Sequence, residues 1–265
     1  MLTVIDDRTL SYDLLGPADA PVVCFAHALA ADGGMWAEQV PAVLQAGYRA
    51  LRIDMRGHGG SRPVPGDYTL AGLADDIAAV LAACGIARVH LVGLSVGAMI
   101  AQAFALSRGP MVESLVLCEA PPRSLVNAAA IWGPRVAAVR QAGTCAPIAD
   151  ATMERWLSPA FRTRHPRRWN EIRATVAATT PDGYCGCIAA LSDFDFTREL
   201  VRVTAPALVV CGVDDPATSL AENERLAALL PRGRYHAFAD ARHLPNVEDP
   251  ARFNRLLIDW LRAPG

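Results

Sequence analysis

Five short, almost unbroken apolar runs recur along the chain: Val22-Val23-Cys24-Phe25, Tyr48-Arg49-Ala50-Leu51-Arg52-Ile53, Val89-His90-Leu91-Val92, Leu115-Val116-Leu117-Cys118 and Ala207-Leu208-Val209-Val210-Cys211. Runs with so little polar alternation suit strands that are covered on both faces. Between the second and third, Leu70, Leu73, Ile77 and Leu81 repeat at helical spacing, and Met99 to Leu106 bridges the third and fourth in the same way. Strands alternating with helices imply an α/β fold, a mostly parallel, doubly wound sheet with helices on both sides. Leu2–Ile5 and Ser11–Leu15, two short runs separated by polar residues, fit an antiparallel start.

The alternation stops after the sixth strand. From about Pro121 to Leu200 there is no convincing strand, whereas 149–157, 167–179 and 186–193 read as helices, with Pro110, Pro134, Pro159, Pro166 and Pro181 punctuating the region or its edge. The expected organisation is a core of residues 1–120 and 201–265 with a helical cap, or lid, over 121–200. The pattern resumes with the run at Ala207, a helix over 220–230, a short strand over 233–238 and a closing helix over 250–261, with Pro250 suited to its first turn.

A chain of 265 residues buries roughly 70–75% of its unfolded surface and needs no disulfide or metal to be stable. With 25 Lys and Arg against 27 Asp and Glu, a net charge of −2 and no basic block, nucleic acid and anionic membrane are poor partners. The N-terminus lacks a basic segment followed by an apolar stretch, and no run approaches the roughly 18 apolar residues of a membrane span. The expectation is a soluble, cytoplasmic protein. Seven cysteines, three of them inside apolar runs, read as reduced core thiols. The spacing in Cys185-Gly-Cys187 is too short for a redox or zinc pair, and the reading calls for no metal and no cofactor.

Gly93-Leu94-Ser95-Val96-Gly97 lies where the third apolar run meets a helical segment. Small residues around a serine at a strand-to-helix turn permit a sharp, strained bend that exposes the hydroxyl, and the helix behind aims its first amides at a developing oxyanion. A serine nucleophile needs a base, and the base needs an acid to hold its tautomer. In Gly212-Val213-Asp214-Asp215 the G-x-x-D spacing favours Asp215, with Asp214 left in solvent. Of the histidines after it, His243 sits in a polar loop before the last helix and is the better base; His236 lies in a strand pattern, His90 mid-strand, and His58 among glycines at a turn, all three read as structural. The two amides expected to form the oxyanion hole belong to Val96 and to Leu29, in His27-Ala28-Leu29-Ala30.

These features resemble the α/β-hydrolases: Ser95, Asp215 and His243 fall in that family's chain order, and Asp54-Met55-Arg56-Gly57-His58-Gly59-Gly60-Ser61 is similar to its D-x-R-G-x-G-x-S loop. Within the superfamily, the chain is most similar to the 3-oxoadipate enol-lactonases of aromatic catabolism. The likeness rests on Met35-Trp36, on Leu115–Cys118, on the lid stretch from Ile148 to Phe161 and on His243-Leu244-Pro245-Asn246-Val247-Glu248-Asp249-Pro250. It implies ring opening of a small, carboxylate-bearing lactone through an acyl-enzyme on Ser95, with water as the second nucleophile. A carboxylate wants a cation, and the lid supplies Arg135 and Arg140, beside Trp132; Trp156 and Trp169 are further lid aromatics. The chain departs from the family pattern at His27-Ala28, where Asn-Ser is usual, at Ala30 and Ala98 in place of glycines, and at Glu119-Ala120-Pro121-Pro122.

A general short-chain carboxylesterase or cofactor-free perhydrolase would use the same triad on another acyl group, and a ligand receptor on a hydrolase fold is the reading from a different class. Dehalogenases and epoxide hydrolases of this fold carry aspartate where Ser95 stands. The partner is a small-molecule ester or lactone; whether the chain forms a homo-oligomer is left open.

Overall fold

The computed structural model describes residues 1–5 and 8–264. In chain order its elements are β1 (Leu2–Ile5), β2 (Arg8–Leu15), β3 (Val22–Ala26), α1 (Val40–Gln45), β4 (Arg49–Ile53), α2 (Leu70–Ala83), β5 (Val89–Leu94), α3 (Val96–Arg108) and β6 (Val112–Cys118). Then follow α4 (Ala128–Ala142), α5 (Ala146–Trp156), α6 (Pro159–Arg164), α7 (Pro166–Ala178) and α8 (Pro181–Ser192). The chain ends with β7 (Ala207–Gly212), α9 (Leu220–Leu229), β8 (Gly233–Phe238), α10 (Pro245–Glu248) and α11 (Pro250–Arg262). The expected antiparallel start is present as β1 and β2; the polar Asp6 and Asp7 expected between them lie outside the described residues.

The sheet order is β1-β2-β4-β3-β5-β6-β7-β8, with β2 antiparallel to both of its neighbours and β4 through β8 parallel. β3 lies between β4 and β5, so the connections leaving its two sides run in opposite directions across the sheet. A crevice opens at such a reversal, beyond the carboxyl ends of the strands. The parallel register brings those ends level: Ala26 pairs with Ile53 and Gly93, Leu94 with Cys118, Cys118 with Val210, and Gly212 with Phe238. The loops that follow these residues therefore share one edge. Strands β3, β5 and β7 are buried throughout, as their apolarity predicts. The cysteines are free thiols, and burial pushes those of Cys24, Cys118 and Cys211 up from the usual range.

Between β6 and β7 come five α-helices, where the sequence pattern marks three. Proline is the reason for the difference. Pro159, Pro166 and Pro181 do not interrupt helices but begin them, as first residues whose missing N–H costs nothing. Pro134 stands inside α4, and the spacing of prolines alone hides this helix, which ends at Gly143 in the left-handed conformation. The expected start of the last insertion helix at 186 also moves back to Pro181, capped by Thr180, whose hydroxyl accepts from the Gly183 amide at 3.1 Å.

Among the ties that hold the insertion to the rest of the chain, two lie at loops beside the sheet edge. At the first, the Gly57 turn meets the start of α8 so closely that a Cβ built on either Gly57 or Gly183 falls within 2.7 Å of the other's backbone. Thr180 donates to the Gly57 carbonyl from both its amide, at 3.1 Å, and its hydroxyl, at 2.9 Å. At the second, the Leu244 amide donates to the Trp156 carbonyl at 3.2 Å, and Glu248 accepts from the amides of Ser158 at 2.7 Å and Arg242 at 2.5 Å. Among the described residues no helix is long and apolar enough to cross a membrane.

The segment Asp54–Ser61 is a structural brace. Asp54 accepts from the amides of Gly33 at 2.8 Å and Gly60 at 2.9 Å, and Arg56 pairs with the buried Asp76. His27, in the place of the expected asparagine, accepts the Met55 amide on Nε2 at 2.9 Å and donates from Nδ1 to the Ala28 carbonyl at 2.8 Å, which fixes its neutral tautomer. His58 is likewise structural: it is fully buried, donates from Nδ1 to the Arg56 carbonyl at 2.9 Å and packs 5.3 Å from the His27 ring. Burial, then the neighbouring His27, pushes the His58 pKa down to about 3, and burial lowers that of His27. The folded protein thus refuses a proton that the unfolded chain accepts below about pH 6.5. The stabilisation is complete above that pH and is expected to fall by a few kcal/mol between about pH 6.5 and 3. Urea midpoints measured across this range should show the loss, and His58→Gln should flatten it; an equally steep curve in the variant would place the sensitivity elsewhere.

Candidate active site

Ser95 stands between β5 and α3 at φ 55° and ψ −120°, a left-handed conformation that costs a non-glycine residue energy. It is held there by its neighbours. A Cβ at Gly93 would lie 2.4 Å from the Gly97 carbonyl, and one at Gly97 would lie 2.3 Å from the Ala26 carbonyl, so only glycines let the start of α3 settle between β3 and β5. The Ser95 amide donates to the Cys118 carbonyl at 2.8 Å, which locks the bend to β6.

His243 and Asp215 meet on the same edge. His243 Nδ1 lies 2.8 Å from Asp215 Oδ2. Asp215 is turned inward by amides: Ala217 donates to Oδ1 at 2.8 Å and Thr218 to Oδ2 at 3.1 Å. Burial opposes its ionisation, but the charge and hydrogen bond of His243, with those of Thr218 and Glu119, hold the carboxyl well below the usual carboxylate range. An ionised Asp215 is an acceptor only, so Nδ1 carries the proton and Nε2 is left as a base. Gly212 explains how the loops approach: a Cβ there would sit 2.3 Å from the carbonyls of both Ala241 and Arg242. Asp214 is exposed, and Asp215 alone of the pair reaches the histidine.

One pocket, with about 720 Å³ of empty space that includes its open mouth, takes in Ser95, His243, Leu29 and Ala30 from the sheet edge. Its other walls come from the insertion and include Trp132, Arg135, Thr152, Arg155, Trp156 and Tyr184. Val96 is fully buried as the first residue of α3, next to Ser95, and Ala30 takes the left-handed φ of 62° that turns the Leu29 loop. Trp156 stacks on His243 at 6.3 Å and 23°, and Arg135 lies over Trp132 at 4.9 Å. Trp169 does not line the pocket; it is buried within the insertion under Arg162. Arg140 is also elsewhere, beside Asp67 and Asp182. His90 bonds Ser114 Oγ at 2.8 Å and His236 packs edge-on to Phe238, both in structural positions.

Three residues escaped the sequence reading. Arg155 is more than half buried and, among the described residues, has no carboxylate in ion-pair range, only the Thr152 hydroxyl at 3.1 Å. Burial, then the charge of Arg135, pushes its pKa down. A signal was present, because Thr152, Arg155 and Trp156 follow at helical i, i+3 and i+4 spacing. Glu119 and Thr218, which complete the surroundings of Asp215, left no such signal because they come from separate loops. Glu119, Asp215 and His243 are close enough together to surround an ion. Their oxygens, however, are already directed at N–H and O–H groups of Gly212, Ala217, Thr218 and His243.

The family described as the alpha/beta hydrolase fold matches residues 21–250. The chain is 28% identical over 263 residues to 3-oxoadipate enol-lactonase 1 of Acinetobacter baylyi, covering 99% of this chain and 97% of that one. It is 31% identical to RutD of Variovorax paradoxus, a protein named for carbamate hydrolysis, over 97% of this chain and 98% of that one. The crystal structure of the enol-lactonase from Burkholderia xenovorans LB400 superposes with a TM-score of 0.94 at 30% identity, covering 99% of this chain and 100% of that one. With its parallel sheet, the helical insertion after β6 and these relatives, the chain belongs to the α/β-hydrolase family.

Proposed function

We propose that the protein hydrolyses a small ester or lactone that carries a carboxylate, with Ser95 as nucleophile, His243 as base and Asp215 as the acid that orients it. The Ser95 hydroxyl attacks the acyl carbon while His243 Nε2 takes its proton. The backbone amides of Leu29 and Val96 stabilise the oxyanion, and the imidazolium returns the proton to the departing ring oxygen. Water, deprotonated by His243, then releases the acid from Ser95. The helices over residues 121–200 act as the cap that shapes the acyl site above the core formed by 1–120 and 201–265.

The observation that carries the substrate class is Arg155. A guanidinium that is more than half buried, has no carboxylate in ion-pair range among the described residues and lines a largely aromatic and aliphatic wall suits an anion, and a substrate carboxylate would pair with it. Arg135, on the same wall, adds to the field. The enol-lactonase relatives support a lactone as the acyl group.

kcat/KM for 3-oxoadipate enol-lactone is expected to exceed that for neutral p-nitrophenyl acetate or an uncharged butyrolactone by about 1,000-fold, or about 4 kcal/mol of differential transition-state binding. Ser95→Ala should leave a folded protein with background rates on all of them. Equal or better rates on the neutral esters would point to a general esterase, and turnover of a carbamate in preference to the lactone would favour the activity for which the RutD relative is named. Arg155→Gln should raise KM for the charged lactone about 10- to 100-fold and leave p-nitrophenyl acetate within about threefold, because only a charged ligand loses the pairing. Asp215→Asn should lower kcat by at least about 100-fold while Asp214→Asn changes it less than about twofold; the reverse ranking would move the acid by one residue.

A further inference from the structure

Glu119, the residue after β6, is fully buried at φ 52° with its amide tied to the Val210 carbonyl at 2.9 Å. Its Oε1 accepts from the Gly212 amide at 2.5 Å, and its Oε2 lies 2.9 Å from Thr218 Oγ1. That same hydroxyl makes a short contact with Asp215 Oδ2. A threonine hydroxyl has one proton and here faces two carboxyl oxygens, so both contacts are hydrogen bonds only if one carboxyl group is protonated. The other partners decide which. Asp215 receives two amides and the His243 Nδ1–H, three donors that favour the ionised form. Glu119 receives one amide on Oε1, and its Oε2 has the hydroxyl oxygen as its neighbour.

We propose that Glu119 is a positioning residue that stands as a neutral carboxylic acid: its Oε2–H donates to Thr218 Oγ1, whose own proton is thereby committed to Asp215 Oδ2. The row runs from Glu119 through Thr218 to Asp215 Oδ2, and the His243 Nδ1–H donates to that same oxygen. The site then carries one buried negative charge instead of two, and Asp215 stays ionised and aimed at Nδ1. The ionisable groups around Glu119 agree with this. Asp215, the thiols of Cys118 on β6 and Cys211 on β7, and Tyr235 on β8 offer it no positive charge, and His243 meets Asp215 first. Burial, then the charge of Asp215, raises the Glu119 pKa well above the usual carboxylate range.

The function given to the row rests on the triad reading above, whereas the proton on Glu119 does not, and the experiment separates them. Infrared difference spectra of the intact protein, wild type minus Glu119→Gln, are expected to show the C=O stretch of a buried carboxylic acid across about pH 6 to 9. Its absence at neutral pH overturns the proposal. With p-nitrophenyl acetate as probe, Glu119→Gln, which keeps a donor at Oε2, should hold kcat within about threefold of wild type, whereas Glu119→Ala and Thr218→Val should lower it about tenfold or more with KM within about twofold. A tenfold loss in Glu119→Gln would mean that the glutamate works as an anion, which overturns it equally. If Glu119→Gln fails to fold, wild type minus Thr218→Val reads the same band, displaced in the variant because its acceptor has gone. If neither protein hydrolyses any ester, the triad reading fails while the spectrum still decides the state of Glu119.

Discussion

The contact on which this architecture turns is the seating of the first turn of α3 against the end of β3. Gly97 lies so close to the Ala26 and His27 carbonyls that no side chain fits between them. That approach leaves Ser95 in a conformation a serine ordinarily avoids, at a cost of order 1–3 kcal/mol. The strain is supportable because the strands on either side are fully buried and the Ser95 amide is bonded across to β6. Moving the turn would disturb a core that is already close-packed. Position and exposure of the hydroxyl follow from backbone packing, and the side chains of the elbow have little part in them.

A second dependence runs from the insertion to the histidine loop. The Leu244 amide bonds the Trp156 carbonyl, Glu248 gathers amides from both sides, and the Trp156 ring lies against His243. The same turn of α5 presents Arg155 to the pocket. The wall that presents Arg155 and the loop that carries His243 are therefore one packed unit, and a substitution in α5 that shifts Trp156 acts on His243 from a distance.

Much of this could be read from the residues. The apolar runs locate the parallel strands β3 to β7 to within a few residues, because strands inside the sheet leave little polar alternation to confuse the pattern, whereas the edge strand β8 is partly exposed and has no such run. Ser95, the choice of Asp215 over Asp214 and the pairing of Asp215 with His243 follow from motif spacing, and the geometry brings these groups to one edge. What escaped depends on contacts between distant segments. The α4 helix is obscured by Pro134, whose cost is offset by packing against α5 and α8. Arg140 and Trp169 were named for their chemistry, but the rotation of each helix about its axis, set by tertiary packing, turns them elsewhere, and it brings Arg155 inward. Glu119 appeared in the sequence only as a departure from a family pattern; its meaning needs the β6 and β7 loops side by side.

The prolines that open α6, α7, α8 and α11 have a consequence for how the chain assembles. Four helices of the insertion, α5 to α8, carry a proline at their first positions, and neighbours in sequence pack together, such as α4 on α5 and α6 on α7. The sheet is different: β4 must insert between β2 and β3, and β7 joins β6 only after the whole insertion has been accommodated. Contacts of low sequence separation form first, and the closure of long loops sets the pace. The barrier to folding should therefore lie in docking β7 and β8 beside β6, the step that also brings Asp215 and His243 to the edge where Ser95 stands, so these three side chains come together only as the last strands close the sheet.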